Sequence, residues 1–376
     1  MRLLFDLTPL YDHLSGIERY AMNITRCMVM AHPDHEYILV FKKEIHPTFF
    51  KFVDRANIHI DVLKECDKLL FQQYVMPRYL RKQRNIDYFF FLASPCPFLF
   101  RHKGIICTVH DMSPWDCPDS MRKKQVIYGK LSIASSVKAS TLVGTVSEFS
   151  KKRIMDILKV QEDRIVLAHN GLSSIFERNE KRSIEALMEK YGIPGRYILC
   201  LSTLEPRKNM RLLIRAYLDL KESADIDACL VLAGRKGWKL NDALGETDTE
   251  KNDIIVTGFV EDNDLPALYK GADAFIFPSL YEGFGIPVIE AMSQGTVVIS
   301  SNSSSLPEVG GDAALYFENN SLDGLKKAII DFYNLSMEDK DLHRQLGIQQ
   351  SKIFDWEKES EKYHQAIIAN ITNREN

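Results

Sequence analysis

The chain has 376 residues, 45% of them hydrophobic and 26% charged, the composition of a globular protein. At roughly 100–200 residues per domain, that length predicts two domains. A formal net charge of −3 offers no bulk attraction for nucleic acid, and no nucleic-acid partner is expected.

The seven cysteines, Cys27, Cys66, Cys96, Cys107, Cys117, Cys200 and Cys229, form no C-x-x-C pair. A cysteine-based zinc site would need close ligand pairs, and a secreted disulfide framework usually has an even count. Several lie in apolar runs, which suits reduced core cysteines in a cytosolic protein. The opening Met1-Arg2-Leu3-Leu4-Phe5-Asp6 is too short an apolar run for a signal peptide. Nor does any stretch approach the ~18 apolar residues of a membrane span. The expectation is a cytoplasmic protein, soluble or bound at the inner membrane surface.

In chain order, apolar runs alternate with segments of helical periodicity. A strand is predicted at 2–7, an amphipathic helix at 17–30, strands at 36–41 and 58–63, and a helix at 69–83. Buried strands follow at 87–92 and 104–109, then a helix at 122–136 and a strand at 142–146. Ser147 caps a helix over 148–158, and a strand at 164–167 closes this half. The segment 170–179 interrupts the pattern and carries the domain boundary, giving domains 1–170 and 171–355. The second half has strands at 196–201, 228–233, 254–257, 274–277, 297–300 and 314–317. Its helices are predicted at 212–221, 265–271, 287–294, 321–335, 340–353 and 356–371. Repeated strand–helix order predicts an α/β protein with parallel sheets and ligands at the strands' carboxyl ends.

Two strand-to-helix loops carry the chemistry. In Phe277-Pro278-Ser279-Leu280-Tyr281-Glu282-Gly283-Phe284-Gly285-Ile286-Pro287, a buried strand gives way to a glycine-containing loop and then a helix. Proline suits the first helical turn, glycine permits close approach of a ligand, and the helix N-terminus favours an anion. Glu282 in the loop and Glu290 one turn into the helix can face one ligand. A plain glycine turn before a core helix would explain this segment equally well alone. The second loop, Leu201-Ser202-Thr203-Leu204-Glu205-Pro206-Arg207-Lys208-Asn209, tips the balance. A guanidinium beside an ammonium suits two linked phosphates. Cations at a helix start oppose its dipole, so an anionic partner is the better account of Arg207 and Lys208.

Glu282 and Glu290 in this context, with the upstream Glu-Pro-Arg-Lys-Asn, resemble the retaining GT-B glycosyltransferases of family four. The opening Ser15-Gly16-Ile17-Glu18-Arg19-Tyr20 resembles the Gly-Ile-Gly-Arg-Tyr opening of bacterial polysaccharide mannosyltransferases, with Glu18 in place of the second glycine. The resemblance implies two facing Rossmann-like domains with an interdomain cleft and a last helix, about 356–376, packed back on the first. It makes Arg207 and Lys208 the diphosphate clamp, Glu282 the partner of donor-sugar hydroxyls and Glu290 the partner of the ribose. Phe284, Gly285 and Ile286 line sugar and phosphate, Gly16 approaches the phosphates, and His110 lies near the transferred sugar. Ser202 joins the donor contacts, while Gly234, Arg235, Gly258, Phe259 and Val260 surround the base. A lone histidine without that resemblance would read as a satisfied core residue.

The implied reaction moves a hexose, with mannose from GDP-mannose favoured, from a nucleoside diphosphate sugar to a glycan or lipid-linked glycan acceptor, retaining configuration. No cofactor and no metal is expected. Asp262-Asn263-Asp264 fits a D-x-D metal motif, but Asp264 reads better as an N-cap for the helix that follows. Basic clusters at Arg78, Arg81, Lys82 and Arg84, at Arg122, Lys123 and Lys124, and at Lys151, Lys152 and Arg153 keep an anionic membrane surface among the partners. The alternatives are a UDP-hexose donor, a sugar-nucleotide epimerase of the same fold and a catalytically silent scaffold subunit.

Overall fold

The structure is a computed structural model and describes residues 1–11, 14–177, 183–203, 205–223, 226–235, 248–249 and 251–375, apart from the side chains of Lys68 and Glu375. The chain divides into two compact units, Met1–Gly171 with Asp355–Asn376, and Leu172–Phe354.

The first unit is built on a seven-stranded parallel sheet. Its strands are β1 (Arg2–Asp6), β2 (Glu36–Lys42), β3 (Ile58–Leu63), β4 (Tyr88–Phe91), β5 (Ile105–Val109), β6 (Leu142–Thr145) and β7 (Ile165–Leu167), ordered β3-β2-β1-β4-β5-β6-β7. The central strands are buried on both faces, hence runs such as Tyr37–Phe41 in place of alternating polarity. On one face Leu4, Ile38, Val40, Phe89 and Val143 pack with Phe71, Met76, Leu80 and Ile154. Against the helix Gly16–Ala31 lies the last helix, Trp356–Glu375, whose Ser360 hydroxyl donates to Ile24 O at 3.0 Å. Its Tyr363 hydroxyl lies 3.0 Å from that of Tyr20 and 2.8 Å from Thr108 Oγ1. Gly144 on β6 makes room for it, because a Cβ there would stand 1.9 Å from the Tyr363 oxygen.

The second unit has six parallel strands: β8 (Tyr197–Leu201), β9 (Cys229–Ala233), β10 (Ile254–Gly258), β11 (Ala274–Phe277), β12 (Val297–Ser301) and β13 (Leu315–Phe317). Their order is β10-β9-β8-β11-β12-β13. The helices Met210–Glu222 and Leu322–Asn334 cover one face through Leu213, Ile214, Tyr217, Leu325, Ile329 and Phe332. Both units are therefore Rossmann-like, with the order reversing between β1 and β4 in the first and between β8 and β11 in the second.

Three sequence expectations change. The helix expected at 69–83 is interrupted by a π turn, Phe71–Val75, and ends as Met76–Leu80. Pro77 has no N–H to give to the preceding turn, and the chain widens ahead of it, with Met76 N–H reaching Phe71 O. Asp264 precedes the helix Leu265–Gly271 but does not cap it through its side chain. Its carboxylate, only 1% exposed, accepts from Lys190 Nζ at 2.7 Å and Tyr191 Oη at 2.8 Å. A buried carboxylate needs a charged partner more than a helix end needs a cap. Those partners belong to the third change, a helix over Ile184–Tyr191 that the sequence reading leaves out.

Candidate functional site

The order of the second sheet puts the loops after β8 and β11 side by side at its reversal point. After β8, Pro206–Lys208 form a 3₁₀ turn, and Asn209 takes a left-handed φ of 55° before the helix Met210–Glu222 begins. After β11 comes the loop that holds Glu282. The two loops join through the backbone, Leu280 N–H donating to Arg207 O at 2.9 Å. Arg207 Nη1 reaches Tyr281 O at 2.6 Å and Glu282 Oε2 at 3.1 Å, and Lys208 Nζ reaches Glu282 Oε1 at 2.6 Å. The anion that this cation pair holds is thus the Glu282 carboxylate, which is 6% exposed.

Burial alone would push the Glu282 carboxyl up. The Lys208 ammonium and the Arg207 guanidinium outweigh it and hold the carboxyl down at about 2. Breaking a buried pair of this kind by removing one partner typically costs about 3–5 kcal/mol. Lys208 Nζ also stands 5.2 Å over the Phe277 ring, which fixes its stem against the sheet.

The Glu282 loop is braced from behind by a run of serines that the sequence reading passes over. Ser301 Oγ donates to Ser279 O at 2.6 Å, and Ser305 Oγ donates to Glu282 O at 3.0 Å and Phe284 O at 2.8 Å. Glu282 N–H donates to Ser304 Oγ at 2.8 Å. Ser300-Ser301-Asn302-Ser303-Ser304-Ser305 at the end of a buried strand was the available signal, since so many hydroxyls there need backbone partners.

Gly285 begins the helix Ile286–Ser293 at φ 117°, where a Cβ would also press to 2.8 Å from Leu306 Cδ2. Phe284 packs its ring edgewise on Phe354 at 5.2 Å. Glu290, 8% exposed, accepts from Tyr269 Oη at 2.9 Å. Tyr269 is a second residue that sequence reasoning misses; one tyrosine on a core helix gives no signal of its partner. At the ends of β8, β9 and β10, Ser202, Gly234 and Gly258 come together. Ser202 N–H donates to Ala233 O at 3.0 Å and Gly234 N–H to Gly258 O at 2.8 Å. Gly234 sits at φ +129°, and a Cβ there would stand 2.0 Å from Ser202 O, so only glycine fits. The buried Ser202 hydroxyl has no hydrogen-bond partner among the described residues. Arg235 lies 5.0 Å over the ring of Phe259, itself half exposed, while Val260 is buried.

In the first unit, Gly16 is the first residue of its helix, and Glu18 reaches back to Ser15, its carboxylate accepting from Ser15 N–H at 2.9 Å. The glutamate that replaces the family's second glycine therefore closes a capping interaction. Tyr20, on the same helix, sits edge-on to His110 at 5.0 Å and donates to Ala168 O at 3.0 Å. His110 Nε2 lies 2.8 Å from Leu92 O. A carbonyl only accepts, so Nε2 carries the proton. Burial keeps the ring's pKa below its ordinary value, which leaves Nδ1 unprotonated. Of the three basic clusters, the third is largely structural. Arg153 holds Asp116 with Nε at 2.9 Å, and Lys151 holds Glu162 at 2.8 Å.

This arrangement gathers two cations and two buried carboxylates, and it sets an arginine-covered ring near the strand-end glycines. Residues 180–350 match the family described as "Glycosyl transferases group 1". The chain is 32% identical over 376 residues to the O-antigen chain mannosyltransferase B of Escherichia coli, covering 95% of this chain and 97% of that one. It is 27% identical over 271 residues to the longer serotype-specific mannosyltransferase WbdA of Escherichia coli, covering 67% of this chain but 32% of that protein. Among solved structures, the Anabaena protein HepE in complex with UDP and glucose is similar, with a TM-score of 0.70, 15% identity and coverage of 98% of this chain and 100% of that one. Two Rossmann-like parallel sheets, and a relative about one-third identical over nearly the whole of both chains, lead to one assignment: the chain belongs to the group 1 glycosyl transferases, family four of the GT-B glycosyltransferases.

Proposed function

We propose that this glycosyltransferase moves a hexose, mannose from GDP-mannose, to a glycan or lipid-linked glycan in bacterial polysaccharide synthesis, with retention and without a metal. The observation that carries the reading is the Arg207–Lys208 pair closed on the buried Glu282 at the reversal point of the second sheet. The mannose donor and the polysaccharide acceptor rest on the likeness to the O-antigen mannosyltransferase. As the glycosidic bond to phosphate lengthens, negative charge grows on the leaving diphosphate. Arg207 and Lys208 are fixed beforehand, so they meet that charge without reorganising. An ammonium carries three donors, so holding Glu282 does not exhaust Lys208. Glu282, ionised and gripped in place, accepts from a donor-sugar hydroxyl. Glu290, oriented by Tyr269, accepts from the ribose. The two cations take the part a metal would play at the diphosphate, and turnover should survive excess chelator.

A peripheral membrane position at the inner face completes the proposal. Leu69, Leu70, Tyr74, Leu99, Ile127 and Leu131 are all more than half exposed. They lie on three segments tied together by Tyr128 Oη to Gln72 Oε1 at 2.8 Å and Phe98 N–H to Gln73 Oε1 at 3.0 Å. Exposed Arg78, Arg81, Lys123 and Lys124 flank them. Apolar side chains ringed by cations suit an anionic lipid surface holding a lipid-linked acceptor.

Incubation with a panel of sugar nucleotides tests the central claim. Slow release of mannose and GDP, in preference to UDP-hexose cleavage, is expected. An isomerised sugar nucleotide would mean an epimerase, and no turnover of any donor, with or without acceptor, would mean a scaffold.

A further inference from the structure

We propose that His32, His35 and His364 form a binding site for a divalent transition-metal ion of the zinc class, oriented by Glu361, in the first unit. The cysteine spacing speaks only against a cysteine site; it says nothing of His32-Pro33-Asp34-His35. His32 is the residue that closes the helix Gly16–Ala31, and His35 follows in the turn before β2. His364 and Glu361 lie one turn apart on the last helix. The fold thus converges three imidazoles from two ends of the chain.

Their spacing is that of ligands. His35 Nε2 and His364 Nε2 face one another at 3.1 Å. Two nitrogens each about 2.0–2.1 Å from a tetrahedral zinc stand roughly 3.3 Å apart. The ring of His32 stacks on His364 with centroids 3.6 Å apart, and each histidine offers a nitrogen such that all three atoms lie within 4.8 Å of one another. Because His32 and His364 stack at only 19°, His32 must tilt to aim its lone pair at a shared ion. His35 and His364 are therefore the primary pair.

The carboxylate stands behind the rings as an orienting group. Glu361 Oε1 lies 3.5 Å from His364 Nδ1, and Oε2 lies 2.8 Å from His32 Nε2. A carboxylate on Nδ1 places the proton there and turns the Nε2 lone pair of His364 toward His35, the usual arrangement behind a metal-bound imidazole. Between neutral rings, the 3.1 Å contact is a single hydrogen bond, with His35 Nε2–H donating to the Nε2 lone pair of His364. When zinc enters, the His35 proton shifts to its Nδ1, and both Nε2 lone pairs face the ion. An ion here would tie the last helix to the turn that precedes β2. It would be structural and separate from Arg207, Lys208, Glu282 and Glu290, which belong to the other unit.

The test is calorimetric titration of Zn²⁺ into the untagged, chelator-stripped full chain at pH 7.5. One ion per chain is expected, with a rise in melting temperature that EDTA reverses. His35→Gln combined with His364→Gln should abolish this binding, and Glu361→Gln should weaken it about 10–100-fold. His59→Gln, at an exposed histidine paired with Asp61 at 3.1 Å, should leave it unchanged. Co²⁺ added to the unaltered protein gives a second readout that needs no variant, a visible band of nitrogen-ligated cobalt. Stoichiometric zinc binding that persists in the double variant, saturable binding that never occurs, or a Co²⁺ spectrum no different from aqueous ion would each overturn the site.

Discussion

At the scale of single residues, the informative feature is that Glu282 occupies the cations proposed to take the donor diphosphate. Arg207→Ala and Lys208→Ala should each lower turnover by ~10²–10³, the usual cost of losing one preorganised donor, with a smaller loss of donor affinity. Lys208→Arg should restore activity only in part, because a planar fork does not reproduce the 2.6 Å contact of a compact ammonium with Glu282. Steady-state kinetics beside nucleotide calorimetry reads both; near wild-type turnover in folded alanine variants would move the diphosphate elsewhere. The two glutamates should separate. Glu282→Ala removes an anion from the pair, so nucleoside diphosphate affinity should hold or rise while transfer collapses and the fold loses about 3–5 kcal/mol. Glu290→Ala should weaken nucleoside diphosphate and intact donor alike, by about 1.5–3 kcal/mol, tenfold or more. Equal weakening of nucleotide by both changes would refute this division of roles.

At the scale of elements, the first unit is closed by its own last helix. The last helix is fixed to the first sheet through Tyr363, whose hydroxyl meets Tyr20 and Thr108 and fills the space left by Gly144. Tyr363→Phe should cost about 1–3 kcal/mol, because Thr108 Oγ1 loses this partner and Tyr20 keeps only Ala168 O, and Gly144→Ala should cost more, because the Cβ collides outright. Denaturant melts should rank the two in that order; a neutral Gly144→Ala would show that the helix does not sit there. The apolar segments around Leu69, Leu99 and Ile127 are the elements proposed to meet lipid. Binding to anionic vesicles should fall with rising salt, and Lys123→Gln with Lys124→Gln should weaken it further. Indifference to anionic vesicles at low salt would point to an acceptor presented in solution.

At the scale of the whole molecule, the two units should respond differently to acid. His46, His102 and His110 are all held below the ordinary histidine value, with burial the leading cause in each, and all lie in the first unit. A group whose folded pKa is depressed binds fewer protons folded than unfolded. Stability therefore falls once pH drops below about 6.5, and goes on falling until the folded values are reached. In the second unit, the depression of Glu282 to about 2 works over a lower window. Its contribution is complete above the unfolded carboxyl value and is lost only as pH falls toward 2. Between pH 7 and 5.5, hydrogen exchange should accelerate in peptides from Met1–Gly171 before those from Leu172–Phe354. Uniform acceleration across both would contradict the assignment.

Apolar periodicity was enough to read two α/β units, because strands buried on both faces must be continuous apolar runs and their helices must be amphipathic. The two strand-to-helix segments with Arg207, Lys208, Glu282 and Glu290 also stood out, because cations at a helix start and glycines after a strand are locally costly and call for a partner. What the sequence could not yield was the partner of each charge. That Glu282 grips both cations, that Tyr269 holds Glu290 and that Ser301, Ser304 and Ser305 brace the loop all depend on β11 lying between β8 and β12. The same holds for Asp264, whose local position favours a cap but whose burial beside Lys190 claims the carboxylate instead. His35 and His364 are 329 positions apart and meet only because the last helix returns to the first sheet. Local energetics fix elements and turns within a few residues; which side chain is desolvated, and against which counter-charge, is set by strand order, and tertiary structure alone decides that.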